Sequence, residues 1–320
     1  MLVLDAGRFT VLATLQRPCA SWVRGAFRRS AVPEANSSTV QRRRLGIELR
    51  RLREAAGLSA TQVADCLDDV SQTKVSRLER GRVRPRVNDV KAMLELYGVQ
   101  GAAALALIDM ARESKGGDGW WVNYSDVLPE WFQAYVGLEA EAARKWTFES
   151  QLIPGLLQTE DYARALIRAE IGLSAEEVER RAKARVARQR LLRKEQALQI
   201  WAIIDESALR RPVGGPVVMR EQLDHLLSVS ELPNVMIQVL PFSVGAHPAV
   251  NGAFAILGFT EQTDPDIVYL DTQTAGIYLD KPVELERYKL MFDHLRARAA
   301  DPDTSTGLIA EVARSYSLPG

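Results

Sequence analysis

The chain has 320 residues, 47% of them hydrophobic, and its 41 basic and 41 acidic side chains balance to a formal net charge of zero. Such a length and apolar fraction fill about two domains, each with its own core, and the zero balance excludes a chain that coats nucleic acid by overall charge. Cys19 and Cys66 stand far apart, without a disulfide framework or a metal-ligand spacing, so a reducing, cytoplasmic setting is expected; no apolar run is long enough to cross a bilayer.

Residues 1–38 open with a signal-like stretch, but Asp5 and Arg8 interrupt its apolar part and no basic region precedes it. Pro33 to Ser38 then reads as a flexible lead-in. The segment is expected to be a disordered extension, or the product of a start codon placed too early.

Residues 39–112 form the first expected domain. A helix over 41–56 carries Leu45, Leu49, Leu52 and Ala56 at helical spacing, and Gly57 and Leu58 end it. Ser59 caps a second helix with Val63, Ala64 and Leu67 on its apolar face. Ser71 caps a third, which ends at Gly81. At 100° per residue Val75 and Leu78 share one side of this third helix, and Thr73, Arg77 and Arg80 lie opposite. Gln72 and Ser76 flank that outer face on one side and Lys74 on the other, while Glu79, the helix's one acid, turns back toward the core. A surface of amide, hydroxyl, guanidinium and ammonium groups suits base edges and phosphates. Two further helices, through Val90, Met93, Leu94 and Tyr97 and then Leu105 and Ile108, complete an all-α five-helix bundle ending near Arg112. Charge agrees: residues 41–90 hold twelve basic and seven acidic groups, so this segment is +5 and the remainder −5. A basic module joined to an acidic one meets a polyanion with a defined end.

GLSxxxVAxxL followed by VSQTKVSRLERGRVRP, over roughly residues 41–110, resembles the lambda-repressor-like, or xenobiotic-response-element, family of helix-turn-helix regulators. The resemblance implies base contacts from Gln72, Thr73 and Arg77, with Lys74, Arg82 and Arg84 along phosphates. Ser71, Ser76 and Arg80 complete the expected DNA-binding set. It also implies an ion pair between Arg53 of the first helix and Glu79 of the third. Two departures stand out: Ala60 replaces a glutamine that touches a phosphate in the family, and Asp68 and Asp69 occupy a turn one residue longer.

ESKGGDG at 113–119 reads as a linker. The second domain, 120–316, is expected to be α+β with a mixed sheet. Its early part reads as helical, with Thr159 capping one helix and Ser174 and Glu177 forming the capping box of a long helix that ends near Lys194. The period then shifts to about two, giving strands at 198–204, 235–240, 252–259, 267–270 and 276–279 and helices near 216–230 and 282–300. WTFESQLIPGLLQTEDYARA, LPFxxGxHxxxxGxF and VYLDTQTAGIYL resemble the uncharacterised C-terminal domain of actinobacterial WhiJ-like developmental regulators and Scr-type antitoxin-like proteins. That implies a role in transcription, with a small neighbouring protein as a possible partner.

No nucleophile–base set, phosphate-binding glycine loop or zinc spacing is present, so neither catalysis, metal nor cofactor is expected. His225 and His294 fall in predicted helices. His247, in a Gly/Pro-bracketed loop, is the one histidine with a ligand-site reading. Trp146, Tyr162, Tyr269 and Tyr278 are either core or the lining of an apolar pocket. The favoured reading is a homodimeric regulator on a palindromic DNA operator whose C-terminal domain senses a small protein or a metabolite. The alternative is an antitoxin-like protein that neutralises a small partner, encoded by a neighbouring gene, and autoregulates its operon.

Overall fold

A computed structural model describes residues 38–67, 70–81, 83–113, 120–260 and 265–316. The expected extension and linker, and the turn acids Asp68 and Asp69, lie outside the described residues, apart from Ser38 and Glu113 at helix ends.

The first half is the expected five-helix bundle: α1 (Ser38–Ala55), α2 (Ala60–Cys66), α3 (Gln72–Glu79), α4 (Val87–Leu96) and α5 (Gly101–Glu113). Leu45, Leu49, Val63, Val75, Leu78, Val90 and Met93 form its core. Gly57, at φ 72°, ends the first helix. Gly46 lies where α1 meets the carboxyl end of α3: a Cβ there would stand 2.5 Å from the Glu79 carbonyl oxygen. Gly81, at φ 64°, likewise lets the chain leave α3 against the backbone of Arg43.

The second half is α+β. In chain order it runs α6 (Glu130–Glu141), β1 (Arg144–Glu149), α7 (Glu160–Arg168), α8 (Ala175–Ala187), β2 (Gln199–Asp205), α9 (Glu206–Arg210), α10 (Pro216–Ser230), β3 (Val235–Leu240), β4 (Phe254–Gly258), β5 (Ile267–Asp271), β6 (Gly276–Leu279), α11 (Pro282–Arg298) and α12 (Pro302–Ser315). The sheet order is β3-β2-β1-β4-β5-β6. β1, β2 and β3 run parallel, and β4 to β6 add antiparallel to the β1 edge. Residues of α6, α7, α10 and α12 pack on one face of this sheet, and α11 covers the other with Leu285, Phe292 and Leu295. Ile200, Ala202, Ile203 and Ile204 are buried along β2, as befits a parallel strand covered on both faces.

Two expectations for this half are corrected. The stretch expected to be helical contains the central strand β1, whose sequence RKWTFE conceals its alternation because Lys145 points into the core. The helix expected to run to Lys194 is α-helical only to Ala187 and continues as a 3₁₀ turn through Leu192, where Arg188 turns inward to a buried carboxylate.

Candidate nucleic-acid interface

α2 and α3 are held by local hydrogen bonding at both starts. Ser59 Oγ accepts the Gln62 N–H at 3.2 Å while Gln62 Oε1 accepts the Ser59 N–H at 2.8 Å; Ser71 Oγ accepts the Lys74 N–H at 3.2 Å. Each bond satisfies a donor that a helix start leaves open. Val75 and Leu78 anchor α3 inward, and Ser71, Gln72, Thr73, Arg77 and Arg80 are exposed. Ser76 and Lys74 sit half-buried at the flanks of that face.

Glu79 is buried beneath the helix. Arg53 Nε and Nη2 donate to its two carboxylate oxygens at 2.6 and 3.0 Å, and Arg53 Nη1 reaches the Leu58 carbonyl at 2.8 Å. The hydrogen bond to Glu79 raises the Arg53 pKa against the effect of burial. One guanidinium thus ties α1, the entry to α2 and the end of α3 together. The only acid of α3 is consumed in this tie, so the outward face carries no negative charge.

The expected phosphate contacts divide. Arg84 is exposed. Lys74 Nζ lies 2.8 Å from the Asp89 carboxylate of α4, so it must leave that acid before it can meet a phosphate. Arg82 lies outside the described residues. Ser71 Oγ accepts the cap N–H and keeps its O–H as a donor toward solvent.

The basic run before α3 has another use. Arg43 is buried: it donates to the Asp266 carbonyl at 3.3 Å and its guanidinium lies 5.5 Å from the centre of the Phe259 ring. Burial, then the nearby Arg84, lowers the Arg42 pKa, with Glu141 of α6 opposing. These two arginines therefore join the helical bundle to the C-terminal domain, at the β4–β5 connection and the end of α6.

The sheet separates the residues expected to line one apolar pocket. Neighbouring strand positions face opposite sides, so Trp146 packs on the α11 side, while Tyr162, Tyr269 and Tyr278 belong to the other. Tyr162 is fully buried and accepts the Ile153 N–H at 3.2 Å, a structural role. His247 lies edge-on to Phe148 at 5.3 Å, on the Trp146 side, with Nδ1 buried and unbonded. Only Tyr269 and Tyr278 meet, at 5.2 Å between ring centres.

Sequence reading passed over a buried charge cluster on the tyrosine side. Glu139 of α6 is inaccessible to solvent and accepts from Arg188 Nε and Nη2, Lys145 Nζ and the Tyr135 hydroxyl, each at 2.8 Å. Burial would raise its pKa, but Arg188 and Lys145 overcome this and hold it down at about 2. Burial and the same carboxylate push the Tyr135 hydroxyl well above its ordinary range. The residues run from Tyr135 to Arg188 and follow no motif; β1, RKWTFE, carries three charged side chains, and nothing in it marks Lys145 as the one that turns inward. Among the described residues no group of three or more His, Cys, Asp or Glu side chains is placed to hold a metal ion.

The model of a helix-turn-helix domain matches residues 44–107. That of a domain of unknown function, DUF5753, matches residues 132–311, more than half of the chain. No curated protein and no solved structure matches it.

Proposed function

The chain belongs to the DUF5753 family and carries a DNA-binding helix-turn-helix ahead of that domain, and on this footing we propose that it is a non-enzymatic, sequence-specific transcriptional regulator. The observation that carries the reading is the face of α3: Gln72, Thr73, Arg77 and Arg80 are exposed, no carboxylate among the described residues engages either arginine, and Glu79 is turned away into its pair with Arg53. A cationic, hydrogen-bonding helix face of this width fits the major groove, where arginine bridges guanine O6 and N7.

One head covers a half-site, so the proposed working form is a homodimer on a palindromic operator. The surface assigned to the second copy is a groove of about 460 Å³ between α4 and α5, lined by Leu94, Val99, Ala104, Ile108 and Leu105, the last 61% exposed. The C-terminal domain is assigned the regulatory task, receiving a metabolite or a small protein. Its contact with Arg43 gives it a direct hold on α1.

Gel shifts on an operator selected from genomic fragments test this. Arg77→Ala should cost about 1–3 kcal/mol on the operator and relax preference at one base pair per half-site. Arg84→Ala should weaken binding to all sequences alike and lower the salt slope by about one. Equal losses from Arg77→Ala on operator and random DNA would overturn the assignment.

A further inference from the structure

The row of residues at the end of the sheet where β1 and β5 finish differs from the closed Glu139 cluster beside it. β1 pairs with β4 through Phe148 and Phe254, and β4 with β5 through Ala255 and Tyr269. Continued outward, the two registers bring Glu149 and Asp271 to either side of Ala253. Two strand spacings separate those positions, about 10 Å. Side chains in one register row share a face, and this row lies on the face of Lys145, Thr147 and Tyr269. Between the two acids the floor is a single methyl group, and Gly252, at φ 137°, turns the chain away. Tyr269 leans over the row: a Cβ at Gly276 would meet its ring at 2.6 Å and its hydroxyl at 3.2 Å. That hydroxyl is buried and turned toward Asp271, to which it donates, so its oxygen is left to accept. From α8 comes Arg185, held by Gln158 Oε1, which accepts from its Nη1 at 3.2 Å.

Arg185, Glu149 and Asp271 lie within electrostatic reach of one another, yet Arg185 closes no ion pair with either acid. Burial raises Glu149 to about 7 and raises Asp271 as well; burial and then Arg188 lower Arg185 to about 10. Each charge is thus held in the unfavourable direction, whereas Arg188 and Lys145, in the same core, are fully paired by Glu139. Glu149 and Arg185 are half-buried and Asp271 stands at the exposed rim; charges of opposite sign withdrawn partly from water are most stable when paired, and leaving them apart costs stability that a bound molecule can return.

We propose that this niche over Ala253 binds a small zwitterion of the α-amino-acid type, its ammonium group between Glu149, Asp271 and the Tyr269 hydroxyl and its carboxylate on Arg185. An ammonium group offers three donors to two carboxylates and a phenol oxygen, and the Arg185 nitrogens not spent on Gln158 are left for a carboxylate. A lone cation would leave Arg185 unanswered and a lone anion would leave the acids unanswered.

The test is calorimetric titration of the full chain with each of the common L-amino acids, and with n-butylamine and butyrate as single-charge probes. At least one amino acid should bind, with both single-charge probes ten-fold or more weaker. Glu149→Gln and Arg185→Met should each weaken that binding ten-fold or more while operator binding persists; Asp271→Asn serves the same purpose should either variant misfold. Absence of binding by every amino acid in the millimolar range overturns the proposal, as does equal binding by butyrate, which would mark a simple anion site, or unchanged affinity in the variants. The readout is ligand binding itself, so it stands apart from the DNA-binding reading.

Discussion

Glu79→Gln keeps the shape of the side chain and removes its charge, leaving the Arg53 guanidinium, 12% exposed, facing a neutral amide. Two charge-assisted hydrogen bonds, at 2.6 and 3.0 Å, are altered. Such bonds contribute about 1.5–3 kcal/mol each, but the amide oxygen still accepts one and the Leu58 carbonyl keeps Nη1 satisfied. The expected cost is therefore about 2–3 kcal/mol, below the ~3–5 kcal/mol of a fully buried pair broken outright. The same helix supplies the control: Arg51 and Glu48 also pair, at 2.9 Å, but their side chains are 64% and 41% exposed. Glu48→Gln should leave the stability nearly unchanged, since water screens an exposed pair. Hydrogen exchange of the α3 amides reads the local opening free energy without requiring the whole chain to unfold in one step. Protection at Val75 to Arg80 should fall about 30- to 150-fold in Glu79→Gln, since each 1.4 kcal/mol is a factor of ten, and hardly at all in Glu48→Gln. Equal effects in the two variants, or none in the first, would refute the claim that burial gives this pair its strength. Replacing both partners, Arg53→Met with Glu79→Leu, should recover part of the loss.

Three more outcomes follow from the packing. Glu139→Gln leaves Arg188 and Lys145 buried against a neutral group and should destabilise the C-terminal domain by about 3 kcal/mol or more, read by tryptophan fluorescence in urea. Because the Glu139 pKa is depressed in the folded protein, to about 2, its contribution is complete above about 4.5, its ordinary value, and should drain away between there and pH 2 in the parent but not in the variant. Arg43→Ala removes the hydrogen bond to Asp266 and the contact with Phe259, so exchange should quicken at residues 265–268 and in α1; unchanged exchange at both would remove this contact as the domains' joint. Gly46→Ala puts a methyl 2.5 Å from the Glu79 carbonyl, and the forced shift should lower the stability of the bundle by about 1–3 kcal/mol despite alanine's better helix propensity.

In the first half nearly everything that positions the interface is local, which is why sequence spoke clearly there. Caps at Ser59 and Ser71, the positive-φ glycines and the Val75–Leu78 spacing fix the short helices and decide which face of α3 looks outward. The strands β2 to β6 were equally legible, since apolar runs between turns need no knowledge of their neighbours. Tertiary structure decided the rest. β1 was hidden because Lys145 becomes an interior residue only when Glu139, from another element, stands opposite it. The four aromatic side chains Trp146, Tyr162, Tyr269 and Tyr278 are divided because strand order and register, not sequence distance, determine which face each one joins. Arg42 and Arg43 have the composition of phosphate ligands, yet the C-terminal domain takes them into its own surface. The row of Glu149, Ala253 and Asp271 exists only where two antiparallel ladders carry distant residues to one end of the sheet. Local hydrogen bonding and periodicity are written along the chain, whereas the partner that makes a buried charge affordable is supplied only by the folded neighbourhood.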